Sequence, residues 1–532
     1  MTLSSQYNKR SKKDILLHAK ALKGHYVGDV YDLEKNGKKR PEILEFYREK
    51  NIQGWIDENG KKHKGDKGRI GFLVQEIYFN EPRDNESKSD LRAAGVELKV
   101  SPLIKKPRAG LKVKERLVLG MINKEDELPD VFRDSHIYKK CKLMMLVYYV
   151  DESNQNVTPF NFPFYESAYV KIPEKDMAII EQDYKYIRDC VNGKRYDDLH
   201  ECNAYYLSPC PKNNRRAFSL KLSYMNLLFS DYINKNISLY SPKKVGSHLD
   251  SIINNSKELQ TESFEAIILK RFARYEGKTV KQIRQLVMKS EKFKTWASKE
   301  KIDKAEFART TMAMLGVRSD QADEFAKSNV YVKTLRVNKD GTMNENISFS
   351  AFEFSDLIAE KWKDSTVYEE MVDRKFLWSV FKENESGEFV FHGATFWTMP
   401  RSDERIIKKG WDDIREIIRK GVKFVKDVNE DGTPVLTQRG RNRILNSFPD
   451  SRNTDKTRKE YKLCPSLKPY NKIISIRPHA QYAYYDLKSI DYYDKSHSRC
   501  NGSKLPNQDD VMTKQCFWFN NEYILEQIKH IL

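Results

Sequence analysis

Asp90, Glu97 and Lys99 fall within ten residues, in the order carboxylate, a gap of six, then Glu-x-Lys. Val96, Leu98 and Val100 alternate with Glu97 and Lys99, the two-residue period of a strand with one apolar face. Glu97 and Lys99 then share the other face, and Asp90 can close on them from the preceding turn. Two carboxylates and a lysine at one strand edge can hold Mg²⁺ and steer a water at a phosphodiester, the chemistry of a metal-dependent nuclease. The same pattern also fits the charged solvent face of an edge strand, so its meaning rests on the elements around it.

Those elements read as mixed α/β. Ser11 and Asp14 form the spacing of a capping box before a helix over 12–22. Ile70, Leu73, Val74, Ile77 and Tyr78 follow the i, i+3, i+4, i+7, i+8 pattern of an amphipathic helix over 69–79. Residues 117–122 and 143–150 read as strands, 174–192 as a helix, and 205–207 with 218–222 as short strands. Residues 237–246 carry turn formers and no period, which places a linker at 237–250 between domains 1–236 and 251–532. The second half repeats the grammar of the first. A helix over 263–275 precedes the strand 329–335, which leads into a hairpin turn at Asn338–Gly341. Laid over Glu97-Leu98-Lys99, that strand keeps Lys333 but has Tyr331 in the glutamate's place, and seven residues back from Tyr331 stands Glu324. Tyrosine is no hard anionic ligand near neutral pH, so one copy is fitted for chemistry and the other is not.

The chain has 532 residues, enough for two to four domains, and a formal net charge of +19. With 39% hydrophobic and 12% aromatic residues it is no disordered basic tail. A polyanionic partner, nucleic acid first, is expected, although some intracellular proteins are simply basic. The longest apolar stretch, 143–150, is too short to span a bilayer, and the N-terminal segment reads as a short amphipathic helix rather than a signal peptide. Seven cysteines without a C-x-x-C pair fit a reducing cytoplasm.

Several segments carry a resemblance. In the first half they are Asp90 with 94–99, Glu115 to Leu119, Tyr206 to Cys210, and Arg216 to Lys221. In the second they are Val332 to Thr334, Ser348 to Phe352, Met512 to Gln515, and Phe517 with Trp518. Through these the chain resembles the MutH-like branch of the PD-(D/E)xK nucleases, and within it the GATC-cutting type II restriction endonucleases. The resemblance implies two tandem MutH-like domains, each a small mixed sheet flanked by helices. The first would be catalytic, and the second, lacking catalytic ligands, would bind another GATC site as an effector. It implies Mg²⁺ on Asp90, Glu97 and the Leu98 carbonyl, with Lys99 and a downstream lysine, Lys140 before Lys139, at the attacking water. A family glutamate expected four residues after Gly71 is Gln75 here, which raises natural tolerance or a weakened, GATC-binding chain as readings. A single-domain, strand-nicking repair enzyme of MutH type is the other alternative.

For DNA contact the first-half candidates are Lys67, Lys212, Arg215, Arg216, Ser219 and Lys221, and the second-half candidates are Arg477, His479, Lys514 and Gln515. Lysine and arginine suit guanine N7 and O6, glutamine suits adenine, and each alternatively contacts phosphate. The partner implied is duplex DNA, two sites at once, with no membrane and with room for a dimer assembled on DNA.

Overall fold

A computed structural model describes the chain except for residues 1–2, 4–5, 38–39, 57–61, 67, 84–87, 107–109, 213, 234–249, 299–304, 321, 344–346, 438–439, 450–470, 481–482 and 494–501. The chain divides into two compact units. The first comprises Met1–Ile268 with Gly316–Val330, and the second Leu269–Leu315 with Tyr331–Leu532. The expected linker lies, but for Asp250, outside the described residues. Residues 250–268 and 316–330 belong to the first unit, so the division runs later in the chain than the turn formers suggest.

The first unit holds two sheets. One has the order β2-β1-β4-β5, with β1 at Glu97–Lys106, β2 at Gly110–Val113, β4 at Met144–Val150 and β5 at Phe164–Val170. β1 and β4 are parallel, from Glu97 opposite Met144 to Leu103 opposite Val150, and the other pairs are antiparallel. Met144 to Tyr148 are all fully buried, as a strand with both faces covered requires. The other sheet, β3-β7-β6, is antiparallel: β3 is Leu117–Ile122, β6 Leu207–Lys212 and β7 Arg215–Leu220.

The helices follow from their apolar stripes and caps. Helix α1 (Lys12–Lys20) starts at Ser11, whose Oγ accepts from the Asp14 amide. Helix α2 covers Arg69–Leu73 and then widens into a π turn over Val74–Tyr78. Helix α3 (His136–Lys142) is capped by Ser135, whose Oγ accepts from the Tyr138 amide. Helix α4 (Glu174–Asn192) buries Ile179, Ile180, Tyr184, Ile187 and Val191 along one side. Helix α5 spans Leu222–Tyr232 and helix α6 Asp323–Ser328.

The second unit repeats this plan. Its strands are β8 (Val330–Val337), β9 (Ile347–Phe352), β10 (Lys375–Glu383), β11 (Phe389–Thr398), β12 (Ile474–Pro478) and β13 (Gln515–Phe519). They form sheets of order β8-β10-β11 and β9-β13-β12, matching β1-β4-β5 and β3-β7-β6 strand for strand. A long helix, α7 (Arg401–Lys420), and a closing helix, α8 (Asn521–Ile528), take the places of α4 and α5. Each unit has its own hydrophobic core. The fold is therefore two tandem MutH-like α/β domains.

Two expected elements differ. The turn at Asn338–Gly341 forms, with the Gly341 amide on the Asn338 carbonyl, but no hairpin follows. The next strand, β9, pairs with β13 in the other sheet. The short strand expected at 205–207 begins only at Leu207, because the Tyr205 and Tyr206 amides donate to the Asp183 carboxylate at 2.7 and 2.6 Å.

Candidate active site

β1 alternates as its sequence requires. Val96 and Leu98 are buried in the first core with Ile70, Leu73 and Val74 of α2. Glu97 and Lys99 point to the other face. Asp90 is brought alongside by a tight reversal: a 3-10 turn at Arg92–Ala94 and Gly95 in the left-handed region at φ 64°. The reversal closes with paired hydrogen bonds, Leu91 amide to Val96 carbonyl at 2.9 Å and Val96 amide to Leu91 carbonyl at 3.3 Å.

Asp90 Oδ2 accepts the Leu98 amide at 3.1 Å, while the Glu97 amide donates to Leu143 on the β4 side. Within a strand a residue's N–H and C=O lie on the same edge. The Leu98 carbonyl therefore faces the edge occupied by Asp90, not β4.

Glu97 is fully buried. Its Oε1 takes Lys99 Nζ at 2.6 Å and Lys140 Nζ at 3.2 Å, and Lys99 Nζ lies 3.9 Å from Asp90 Oδ2. Glu97 Oε2 is buried with no hydrogen-bond partner, a costly arrangement for a carboxylate oxygen unless something else satisfies it. Burial raises the Asp90 carboxyl above its ordinary range; Glu97 adds to this, while Lys99, Lys140 and the Leu98 amide oppose it. Among the described residues there is no cluster of three or more His, Cys, Asp or Glu side chains, so the donor set here is two carboxylates and a backbone carbonyl. These are hard oxygen donors, and Mg²⁺ commonly takes only one or two carboxylates and completes its shell with water. The residues fit that ion.

The other expected site residues divide. Lys140 reaches Glu97 from the last turn of α3, whereas Lys139 is exposed and makes no contact with Glu97. Gln75 does not join the cluster: it sits in the π turn and its Nε2 donates to the Pro82 carbonyl at 3.1 Å. Its neighbour Glu76 accepts from Tyr47 at 2.6 Å and pairs with Arg83 at 3.0 Å. Lys67 lies outside the described residues. Lys212 and Arg215 pair at the exposed tip of the β6–β7 hairpin, and half-buried Arg216 donates to the Pro209 carbonyl.

Ser219 and Lys221 are not on that tip. Ser219 is fully buried against Ser208, and the buried Lys221 Nζ is 3.4 Å from the Ser328 carbonyl. Both follow the inward side of a strand and a helix start, so these side chains are structural here. In the second unit Arg477 and His479 are exposed on and after β12, with His479 Nδ1 3.3 Å from Cys516 Sγ. Lys514 pairs with Glu353. Gln515 is buried and donates to the Thr513 carbonyl at 2.8 Å, so it does not present its amide on the surface.

One residue escapes the sequence reading. Asp183 is buried on α4 and accepts three consecutive amides, Tyr205, Tyr206 and Leu207, at the root of the β6–β7 hairpin. The signal was a carboxylate on the apolar stripe between Ile180 and Ile187.

Residues 79–183 match the family model described as DNA mismatch repair enzyme MutH. That segment contains Asp90, Glu97, Lys99 and Lys140, and makes this a MutH domain. Beyond it, the chain is 29% identical over 510 residues to Type II restriction enzyme Sau3AI of Staphylococcus aureus, covering 89% of this chain and 94% of that enzyme. The chain is thus a MutH-like enzyme of the Sau3AI type. Among the described residues no helix is long and apolar enough to cross a membrane.

Proposed function

We propose that the chain is a type II restriction endonuclease that hydrolyses phosphodiester bonds of double-stranded DNA at GATC sites in the cytoplasm, with Mg²⁺. The observation that carries this is the buried Glu97 carboxylate, one oxygen held by two lysines and the other unpartnered, beside Asp90. Mg²⁺ held by Asp90, Glu97 and the Leu98 carbonyl would neutralise the charge that builds on the phosphodiester during attack. Glu97 fixes Lys99 by its short ion pair, so that Nζ keeps its proton and a defined direction toward the attacking water. Lys140 holds the same oxygen from α3, which leaves Lys99 two of its three donors. Asp90 is anchored by the Leu98 amide and must be ionised to serve as a ligand.

The exposed Lys212 and Arg215, with Arg216 behind them, are the first unit's candidates for contact with the duplex. The second unit, with Tyr331 in place of Glu97, would bind a second GATC-bearing site and stimulate the first. Support for this comes from the repeated fold and from a relative of similar length.

The test uses a plasmid with several GATC sites. Asp90→Ala and Glu97→Gln are expected to abolish cutting in Mg²⁺ while retaining DNA binding, and cutting by either variant refutes the assignment. Nicked circles as the end product on hemimethylated DNA would instead identify a MutH-type nicking enzyme. For the effector role, a one-site substrate should be cut slowly and rescued by a short GATC duplex; equal rates on one-site and two-site DNA exclude it.

A further inference from the structure

The matching places of the two units differ systematically in charge. On β8, Tyr331 stands for Glu97 and Lys333 for Lys99. Ser365 Oγ accepts from the Tyr368 amide at 3.1 Å, as Ser135 does from Tyr138, and counting from these serines puts Glu370 where Lys140 stands. β10 begins at Lys375 as β4 begins at Met144, so Arg374 and Lys375 replace Leu143 and Met144.

These residues form a cluster. Lys333 Nζ lies 4.6 Å and the Arg374 guanidinium 4.7 Å from the centroid of the Tyr331 ring, which packs edge-on against Phe376 at 6.1 Å. Arg374 Nε is buried without a hydrogen-bond partner, and neither Lys333 nor Arg374 has an ion-pair partner among the described residues. Glu370 is engaged elsewhere, accepting from the Ser350 amide at 2.8 Å and its hydroxyl at 2.5 Å. Glu324, the sequence counterpart of Asp90, is bound within the first unit by the Ile252 and Ile253 amides, Ser251 and Lys175.

In the first unit two carboxylates and two lysines cancel, and a divalent ion would bring the site to two positive charges. In the second, Lys333, Arg374 and Lys375 against Glu370 already give two. We propose that the Tyr331–Lys333–Arg374 cluster binds one phosphodiester group of the second duplex, at the place that corresponds to the scissile phosphate in the first unit, with no metal. Guanidinium and ammonium groups supply the charge and the donors that a phosphate oxygen needs. The ring holds both cations by its face, which fixes them without consuming their hydrogen-bonding capacity. Lacking carboxylates to hold a divalent ion, the site grips the backbone without cutting it.

This rests on the reading that the second unit binds DNA, and the test separates the two. The full chain carrying Asp90→Ala is titrated with a labelled GATC duplex in EDTA, and duplexes bound per chain are counted. Two are expected. Adding Lys333→Gln or Arg374→Gln should weaken the second by about tenfold or more, the loss of a charged hydrogen bond, and lower its salt slope by about one. Arg374→Lys should keep the slope, which separates loss of charge from misfolding. A single methylphosphonate scanned across the duplex should, at one position, weaken binding to the parent but not to Arg374→Gln. Unchanged affinity and slope in both Gln variants, with two duplexes still bound, overturns the phosphate site and leaves the two-duplex reading standing. Only one duplex bound to the parent overturns both.

Discussion

Glu97→Gln is the sharpest perturbation of the active site, because it removes one charge and almost no volume. Glu97 is fully buried with ammonium groups at 2.6 and 3.2 Å. Each pair has a gross attraction of about 5–6 kcal/mol at an effective dielectric constant near 20, most of it offset by desolvation. Removing one partner of a buried pair costs about 3–5 kcal/mol; the lysines are 19% and 18% exposed and Lys99 can turn toward Asp90, so about 3 kcal/mol is expected. That lowers Tm by roughly 6–10 °C for a unit of this size. The decisive readout is the divalent ion. In the wild type, Mg²⁺ at about ten times its dissociation constant adds roughly 1.4 kcal/mol of stability, a rise of about 3–5 °C. In Glu97→Gln that rise should vanish and cleavage should fall about a thousandfold or more, the several kcal/mol of charge stabilisation that the ion supplies. Thermal melts with and without Mg²⁺, run beside a plasmid digest, check both. A variant that keeps the Mg²⁺-dependent rise refutes Glu97 as a ligand.

Three further outcomes are expected. Burial, then the charge of Glu97, raises the Asp90 carboxyl, and only its ionised form binds a cation; Mn²⁺ affinity should therefore fall as pH drops through that raised value, and in Glu97→Gln the fall should move to lower pH. Titrations at stepped pH decide this, and coincident profiles would count against it. Gln75→Glu should leave divalent affinity unchanged and cost about 1 kcal/mol, because it only removes the donor to Pro82; a tenfold gain in affinity would place residue 75 in the site after all. Desolvation pushes the Asp183 carboxyl up to about 6 against three amides that pull it down. A raised acid is protonated more readily in the folded chain, so its contribution to stability falls by about 3 kcal/mol as pH rises from 4 to 6. Asp183→Asn should lack that fall, and urea unfolding of both proteins at pH 4 and 7 would show parallel changes if the carboxyl were not so perturbed.

The centre of the site was legible because strand alternation is a strict two-residue period. Once Val96 and Leu98 are placed in the core, Glu97 and Lys99 have only the opposite face. The helix at 174–192 and the strand at 117–122 were legible for the same reason, as long stripes with clear ends. Gln75 was not. Counting four residues on from Gly71 assumes an unbroken α-helix, and the π turn at Val74–Tyr78 changes the angular step after Leu73. Ser219, Lys221 and Gln515 were chosen by residue type, and type alone does not say which side of a strand or cap a side chain takes. The exchange of Leu143 and Met144 for Arg374 and Lys375 was hidden because it requires aligning strand starts that only the fold reveals.

The path of the chain through the first unit has a temporal consequence. That unit is completed by residues 316–330, after 47 residues of the second unit, Leu269–Leu315, have been laid down. Asp176 and Lys175 on α4 take Lys327, Asp323 and Glu324 as their ion-pair partners, and Ser223 donates to the Lys327 carbonyl. During synthesis at about 5–20 residues per second, the segment with Asp90 and Glu97 leaves the ribosome many seconds before the buried charges of α4 gain those partners. A nascent chain therefore carries its cutting residues in an unfinished unit until synthesis has also passed well into the second. For the same reason a fragment ending at the apparent linker would strand Asp176 without its cation, and the half that cuts could not be separated from the half that follows by trimming the chain there.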